Sequence, residues 1–133
     1  MRPIKFRAWD KEYEVMTDWF WLSSEGDLYE TPTTVYDTPH LELERNDDLI
    51  AMQYTGLKDK NGVEIYEGDI VHWMTEFISP MDMRTKHKID SNEEVHQKES
   101  GEWGIGEVGN TLSEELPSVE VIGNIFENPG LLG

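Results

Sequence analysis

The chain has 133 residues, 37% of them hydrophobic and 29% charged, with a formal net charge of -17. That length suits one domain with a modest core and is too short for two ordinary ones, while the charge sets the surface against nucleic-acid phosphate and anionic membranes. With no cysteine, a disulfide framework and a thiolate metal site are both excluded.

In chain order, Ile4-Lys5-Phe6-Arg7-Ala8-Trp9 alternates with the period of a half-buried strand, and Asp10-Lys11-Glu12 is a polar turn before Tyr13 and Val15 resume the alternation. This predicts a hairpin over residues 3–16. Trp19-Phe20-Trp21-Leu22 is a dense aromatic run, followed by a turn at 23–27 and a return strand at Leu28-Tyr29. Pro32, Pro39 and several Thr predict a loop over 30–40, with an extended piece at 33–36. Residues 41–44 suit a strand or the entry to a helical turn, and Asn46-Asp47-Asp48 breaks it.

Residues 49–55 read as a strand with Ile50, Met52 and Tyr54 on one face. Asp59-Lys60-Asn61-Gly62 is a tight-turn signal, because Asn and Gly tolerate the positive φ that hairpin turns demand. It joins that strand to a short extended segment at 63–66. Glu67-Gly68-Asp69 is a second turn, and a strand at 70–74 continues the sheet. Residues 77–83 suit a turn or two of helix, and 85–100 are almost wholly polar, so 75–102 is expected as a long irregular polar segment, a variable loop or arm. The glycine-spaced 103–110 predicts a strand with bulges, 112–116 a short helical turn, and 119–126 a late strand pairing with an early one to close the domain. Asn128-Pro129-Gly130 is a final turn. The sum is a mainly β fold: a single domain, 1–133, of short antiparallel strands in a partly closed, small-barrel-like sheet with little helix.

Three separated segments carry a family resemblance. They are Ile4-Lys-Phe-Arg-Ala-Trp-Asp-Lys11, Met52-Gln-Tyr-Thr-Gly-Leu-Lys-Asp-Lys-Asn-Gly62 through Tyr66-Glu-Gly-Asp-Ile-Val71, and Val121-Ile-Gly-Asn-Ile-Phe-Glu-Asn-Pro129. In order and spacing they resemble the YopX-like family of phage and prophage proteins from Gram-positive bacteria. The resemblance does not extend to residues 74–118. It implies a phage or prophage origin and the cytoplasm of a bacterial host, and it implies no activity.

Chemistry-bearing constellations are weak. His40, His72, His87 and His96 include no helical i, i+4 pair and no His-Glu-x-x-His string. His87 and His96, with Asp90, Glu93 and Glu94, could weakly hold a divalent cation, but a solvated charged loop explains them more simply. Twenty-eight acids make coincidental carboxylate pairs certain, and Asp10, Asp59 and Asp69 sit at turns, where Asp is expected without catalysis. Thr55, before Gly56, is expected to bond backbone. Gly104-x-Gly106-x-x-Gly109 lacks the flanking strand and helix of a dinucleotide site. No catalytic, cofactor or metal residue is therefore assigned.

The aromatics suit a core, and any that prove exposed suit a protein interface better than a nucleic-acid platform, which needs a basic groove. The candidate interaction surface is Trp9, Asp10, Tyr54, Tyr66, Trp73 and Trp103. The expected function is a non-catalytic accessory protein of a phage or prophage, acting through protein–protein contacts with a host or phage protein and forming a homo-oligomer. Direct nucleic-acid binding is disfavoured, and no segment is apolar enough to span a membrane. The rival readings are an acidic, DNA-mimic-like decoy for a DNA-processing protein and a small hydrolase or metal-dependent enzyme.

Overall fold

The structure, a computed structural model, describes residues 4–18, 20–30, 44–107 and 109–132. Trp19, the loop expected beyond residue 30, its extended piece at 33–36, His40 and residues 41–43 lie outside them. Among the described residues the fold is 53% strand with one short helix, in antiparallel sheets that include one curled as a half-barrel. The expected mainly β, partly closed architecture with little helix is what the chain adopts. Two compact units can be distinguished, Ile4–Gln53 and the residues from Tyr54 onward.

The first unit holds β1 (Phe6–Asp10), β2 (Val15–Thr17), β3 (Trp21–Leu22), β4 (Leu28–Glu30), β5 (Glu44–Arg45) and the first half of β6 (Leu49–Lys58). β1 pairs with β2, Ala8 opposite Thr17, and with β6, Phe6 opposite Gln53. The hairpin predicted over 3–16 forms among the described residues as Phe6–Asp10 and Val15–Thr17, and the predicted return strand at Leu28 pairs with Leu22. Asp10 closes the first turn by accepting the amides of Glu12 and Tyr13 at 2.9 and 3.1 Å. Ser23 closes the second, its hydroxyl accepting the Asp27 amide at 3.0 Å. The core here is small: Ala8, Leu28 and Leu49, packed by Phe20 and Ala51.

The second unit holds the end of β6, β7 (Glu64–Tyr66), β8 (Asp69–Ile78), β9 (Lys86–Gln97), β10 (Trp103–Ile105), β11 (Asn110–Thr111), α1 (Leu112–Glu115) and β12 (Val119–Asn124). Five strands form a sheet in the order β11-β10-β9-β8-β12. Ile65, Val71, Trp73, Val95, Trp103, Ile105, Leu112 and Val119 make its core. Asp59 fastens the β6–β7 turn to β12. Its Oδ1 accepts the amides of Asn61 and Val63 at 2.8 and 2.9 Å, and its Oδ2 accepts the Val121 amide at 2.8 Å. Gly62 supplies the φ of 81° that the turn requires. Gly123 leaves no room for a side chain, since a Cβ there would stand 2.5 Å from the Asn128 carboxamide oxygen.

Four expectations are corrected. Residues 75–102 are not an irregular polar segment: β8 continues to Ile78 and β9 occupies Lys86–Gln97, paired from Ile70 opposite Glu94 to Ile78 opposite Lys86. This pairing also replaces the helical turn expected at 77–83. Only Ile89 and Val95 are apolar in β9, so it forms because β8 supplies a complete ladder, a case of context overriding propensity. The strand at 70–74 does not extend the sheet through 63–66; β8 pairs with β9 and β12. And β12 pairs with β8, Val121 opposite Val71, not with an early strand.

Candidate interaction site

The expected contact residues fall mostly inside. Trp9 and Asp10 are buried in the first unit, and Tyr54, Trp73 and Trp103 in the second. Trp73 and Trp103 belong to the second unit's core, and the Trp73 indole N–H donates to the Glu115 carboxylate at 3.2 Å. Tyr66 is half-buried, its ring 5.4 Å from that of Tyr54. Trp9, Tyr54, Trp73 and Trp103, expected at an interaction surface, are packing residues in the structure, while Tyr66 stays partly exposed. Asp10 serves its turn, as do Asp59 and Asp69, whose Oδ2 accepts the Tyr66 amide at 2.8 Å. Burial pulls the Asp59 pKa up, but its three backbone N–H donors outweigh that and leave it below the usual carboxylate value. Thr55 donates to the Ile65 carbonyl at 2.7 Å, a structural bond as expected.

Among the exposed large apolar side chains of the described residues, Met74, Phe77, Ile78, Met81 and Met83 gather in the outer half of the β8–β9 hairpin. β12 pairs with β8 over Asp69–Trp73, and β10 pairs with β9 over residues 95–97. Beyond those points, among the described residues, no third strand flanks the hairpin. Residues 74–90 form a two-stranded ribbon on which Phe77 is 45% exposed, Ile78 53%, Met83 73% and Met81 95%. Met74, Glu76, Ile78, Lys86, Lys88 and Asp90 share one face of it by register, and Phe77 and His87 share the other, their rings stacked at 5.0 Å. Asp82 organises the tip. Its Oδ1 accepts the amides of Arg84 and Thr85, both at 2.9 Å, and its other oxygen accepts the Thr85 hydroxyl. The Thr85 hydroxyl and the two amides hold the Asp82 pKa down to about 2.

At the inner end of the ribbon lies an open groove of about 1130 Å³, lined by His72, Asp90, Asn92, Glu93, Glu94, His96 and Glu107, with Leu131 and Leu132 as its apolar wall. His72 and Asp90 meet at 2.7 Å, and that hydrogen bond lowers the Asp90 pKa. The His96 imidazole contacts the Gly106 carbonyl at 2.7 Å, and the Asn92 amide holds the Leu131 carbonyl at 3.0 Å. Glu93, Glu94 and Glu107 have no ion-pair partner among the described residues. No set of three His, Asp or Glu side chains there is placed to hold a metal ion.

Sequence reasoning passed over Phe77, Ile78, Met81 and Met83. The available signal was apolar residues interleaved with Pro80, Asp82 and Arg84, which suits an exposed hairpin tip better than a core segment.

The model of the YopX protein family matches residues 5–133. The crystal structure of protein EF1440 from Enterococcus faecalis is similar over 100% of both chains, at 28% identity and a TM-score of 0.63. That of protein yopX from Bacillus subtilis is similar over 100% of both chains at 23% identity and a TM-score of 0.56, a likeness of fold. No curated protein matches the chain.

Proposed function

The chain belongs to the YopX family, and on that premise we propose that it is a non-catalytic accessory protein of a phage or prophage that works through protein–protein contacts in the host cytoplasm. The observation that carries this reading is the ribbon. An isolated two-stranded hairpin is at best marginally stable in water, and this one keeps Phe77, Ile78, Met81 and Met83 exposed to solvent. Apolar side chains held on an open ribbon suit a contact surface. Covering the exposed part of Phe77 or Ile78 is worth about 1 kcal/mol each.

The test compares the partners retained by the wild-type chain and by Phe77→Ser/Ile78→Ser in lysate of phage-carrying cells. The expected result is a defined partner, or self-association, lost from the variant while its thermal unfolding stays close to wild type. A wild-type chain that remains monomeric and retains nothing would overturn the reading, as would a variant that retains everything.

A further inference from the structure

We infer that the ribbon's partner is a second copy of this chain, and that the basic strand of the ribbon seats in the acidic groove of that copy. The inference deepens the protein-contact reading and rests on it. Its ground is a charge mismatch within each molecule that a second molecule resolves.

The chain carries -17 overall, yet in residues 74–90 Arg84, Lys86 and Lys88 offset Glu76, Asp82 and Asp90, three against three. Arg84 and Lys86 make no ion pair with any described residue. Lys88 reaches only Asp90, at 4.0 Å and with both side chains more than half exposed. Glu93, Glu94 and Glu107 of the groove equally lack a cation among the described residues. Unsatisfied charges of opposite sign thus stand at two separate places on one unit.

Within one molecule only Lys88 of the ribbon reaches a groove acid, Asp90 at 4.0 Å, while Arg84 and Lys86 make no ion pair with the groove's glutamates. His72 and Asp90 form the groove wall and are also where the ribbon begins, so the strands run away from the groove. Lys86 lies opposite Ile78, six residues along β8 from His72, or about 20 Å at the rise of a strand. The groove suits such an occupant. At about 1130 Å³ it exceeds the ~300–1,000 Å³ usual for small-molecule pockets, and Leu131 and Leu132 give Met74 and Ile78 of the ribbon something to cover. Repulsion between two acidic molecules does not prevent the contact, since it is screened beyond about 8 Å at physiological salt while the seated pairs are closer than that. Ribbon and groove are different patches, so the contact closes either by reciprocal exchange in a two-fold dimer or as a head-to-tail ring.

The experiment is sedimentation velocity on wild type, Lys86→Glu/Lys88→Glu, Glu94→Lys/Glu107→Lys, and an equimolar mixture of the two variants, with each fold checked by thermal unfolding. Wild type should self-associate, each variant should associate at least about tenfold more weakly, and the mixture should recover association, because a reversed ribbon then faces a reversed groove. A monomeric wild type overturns the inference, as does an oligomer indifferent to both reversals or a mixture that shows no recovery. Adding a short DNA duplex makes the outcome sharper: a monomeric wild type that binds it through Lys86 and Lys88 assigns the ribbon to nucleic acid. The wider protein-contact reading fails separately, when Phe77→Ser/Ile78→Ser leaves every captured partner in place.

Discussion

The inner and outer halves of the β8–β9 hairpin share two strands and one unbroken register, yet they live in different surroundings. Over Asp69–Trp73 β8 lies between β12 and β9, β10 flanks β9 over residues 95–97, and Ile70, Val71 and Val95 are fully buried. Over residues 74–90 the hairpin has no strand neighbours among the described residues and keeps Met74, Phe77, Ile78, Met81 and Met83 exposed. The contrast shows that hydrogen-bond pairing and burial are separable. Inside, burial holds the ladder; outside, the ladder is held by continuity with the inner half and by the Asp82 turn. Apolar residues in the inner half therefore serve stability, and those in the outer half are free to serve contact.

The largest test of that separation is Trp73→Ala. It removes an indole from the core of the second unit together with its bond to Glu115, and should cost about 3–5 kcal/mol in denaturant unfolding. A loss under about 1 kcal/mol would mean that the inner half is no better packed than the outer.

Asp59→Ala comes next. It strands three backbone donors, two in the β6–β7 turn and one in β12, and should cost about 3 kcal/mol. The same carboxylate gives the inner half a pH dependence. Its folded pKa lies below the ordinary carboxylate value, so its contribution is fully present above that value and disappears as pH falls through the folded pKa. Acid titration of stability should be shallower in Asp59→Asn than in wild type.

Asp59 also shows what the sequence makes legible. Asp10, Asp59-Lys60-Asn61-Gly62 and Glu67-Gly68-Asp69 were readable as turns because turn chemistry is local: a short carboxylate reaches amides two to four residues away, forward from Asp10 and Asp59 and back from Asp69. The Val121 amide that Asp59 also holds is 62 residues away and leaves no local mark. β9 was unreadable for the same reason, since its twelve residues contain two apolar ones and its partner, β8, defines it. The aromatics misled in the opposite direction. Trp9, Tyr54, Trp73 and Trp103 look like interface residues by type, and only their burial reveals them as packing. The contact surface proposed here sits in the stretch where the family resemblance was silent and the pattern was weakest.

A smaller effect is expected at the ribbon tip. Asp82 is fully exposed and its pKa is held down to about 2 by Thr85 and the two amides, so the turn should stay ordered above the ordinary carboxylate pKa and loosen only as pH falls through about 2. Asp82→Ala should speed hydrogen exchange at the Arg84 and Thr85 amides without moving the unfolding midpoint. Faster exchange spreading to Val71 or Val95 would mean that the two halves of the hairpin unfold as one.

Phe77→Ala should also change stability little, and that smallness is the point. Phe77 is 45% exposed and stacks on His87 at 5.0 Å. Removing it forfeits only that contact and the covered part of the ring, under about 1 kcal/mol in the monomer against about 3–5 kcal/mol for Trp73 four residues earlier. Its effect on association should run the other way, because a half-exposed aromatic on an open ribbon contributes most once a partner covers it. Measured side by side, unfolding and association should rank these two residues in opposite order. If Phe77→Ala instead destabilises the monomer as much as Trp73→Ala, the outer half is part of the core, and its exposed side chains need no partner to explain them.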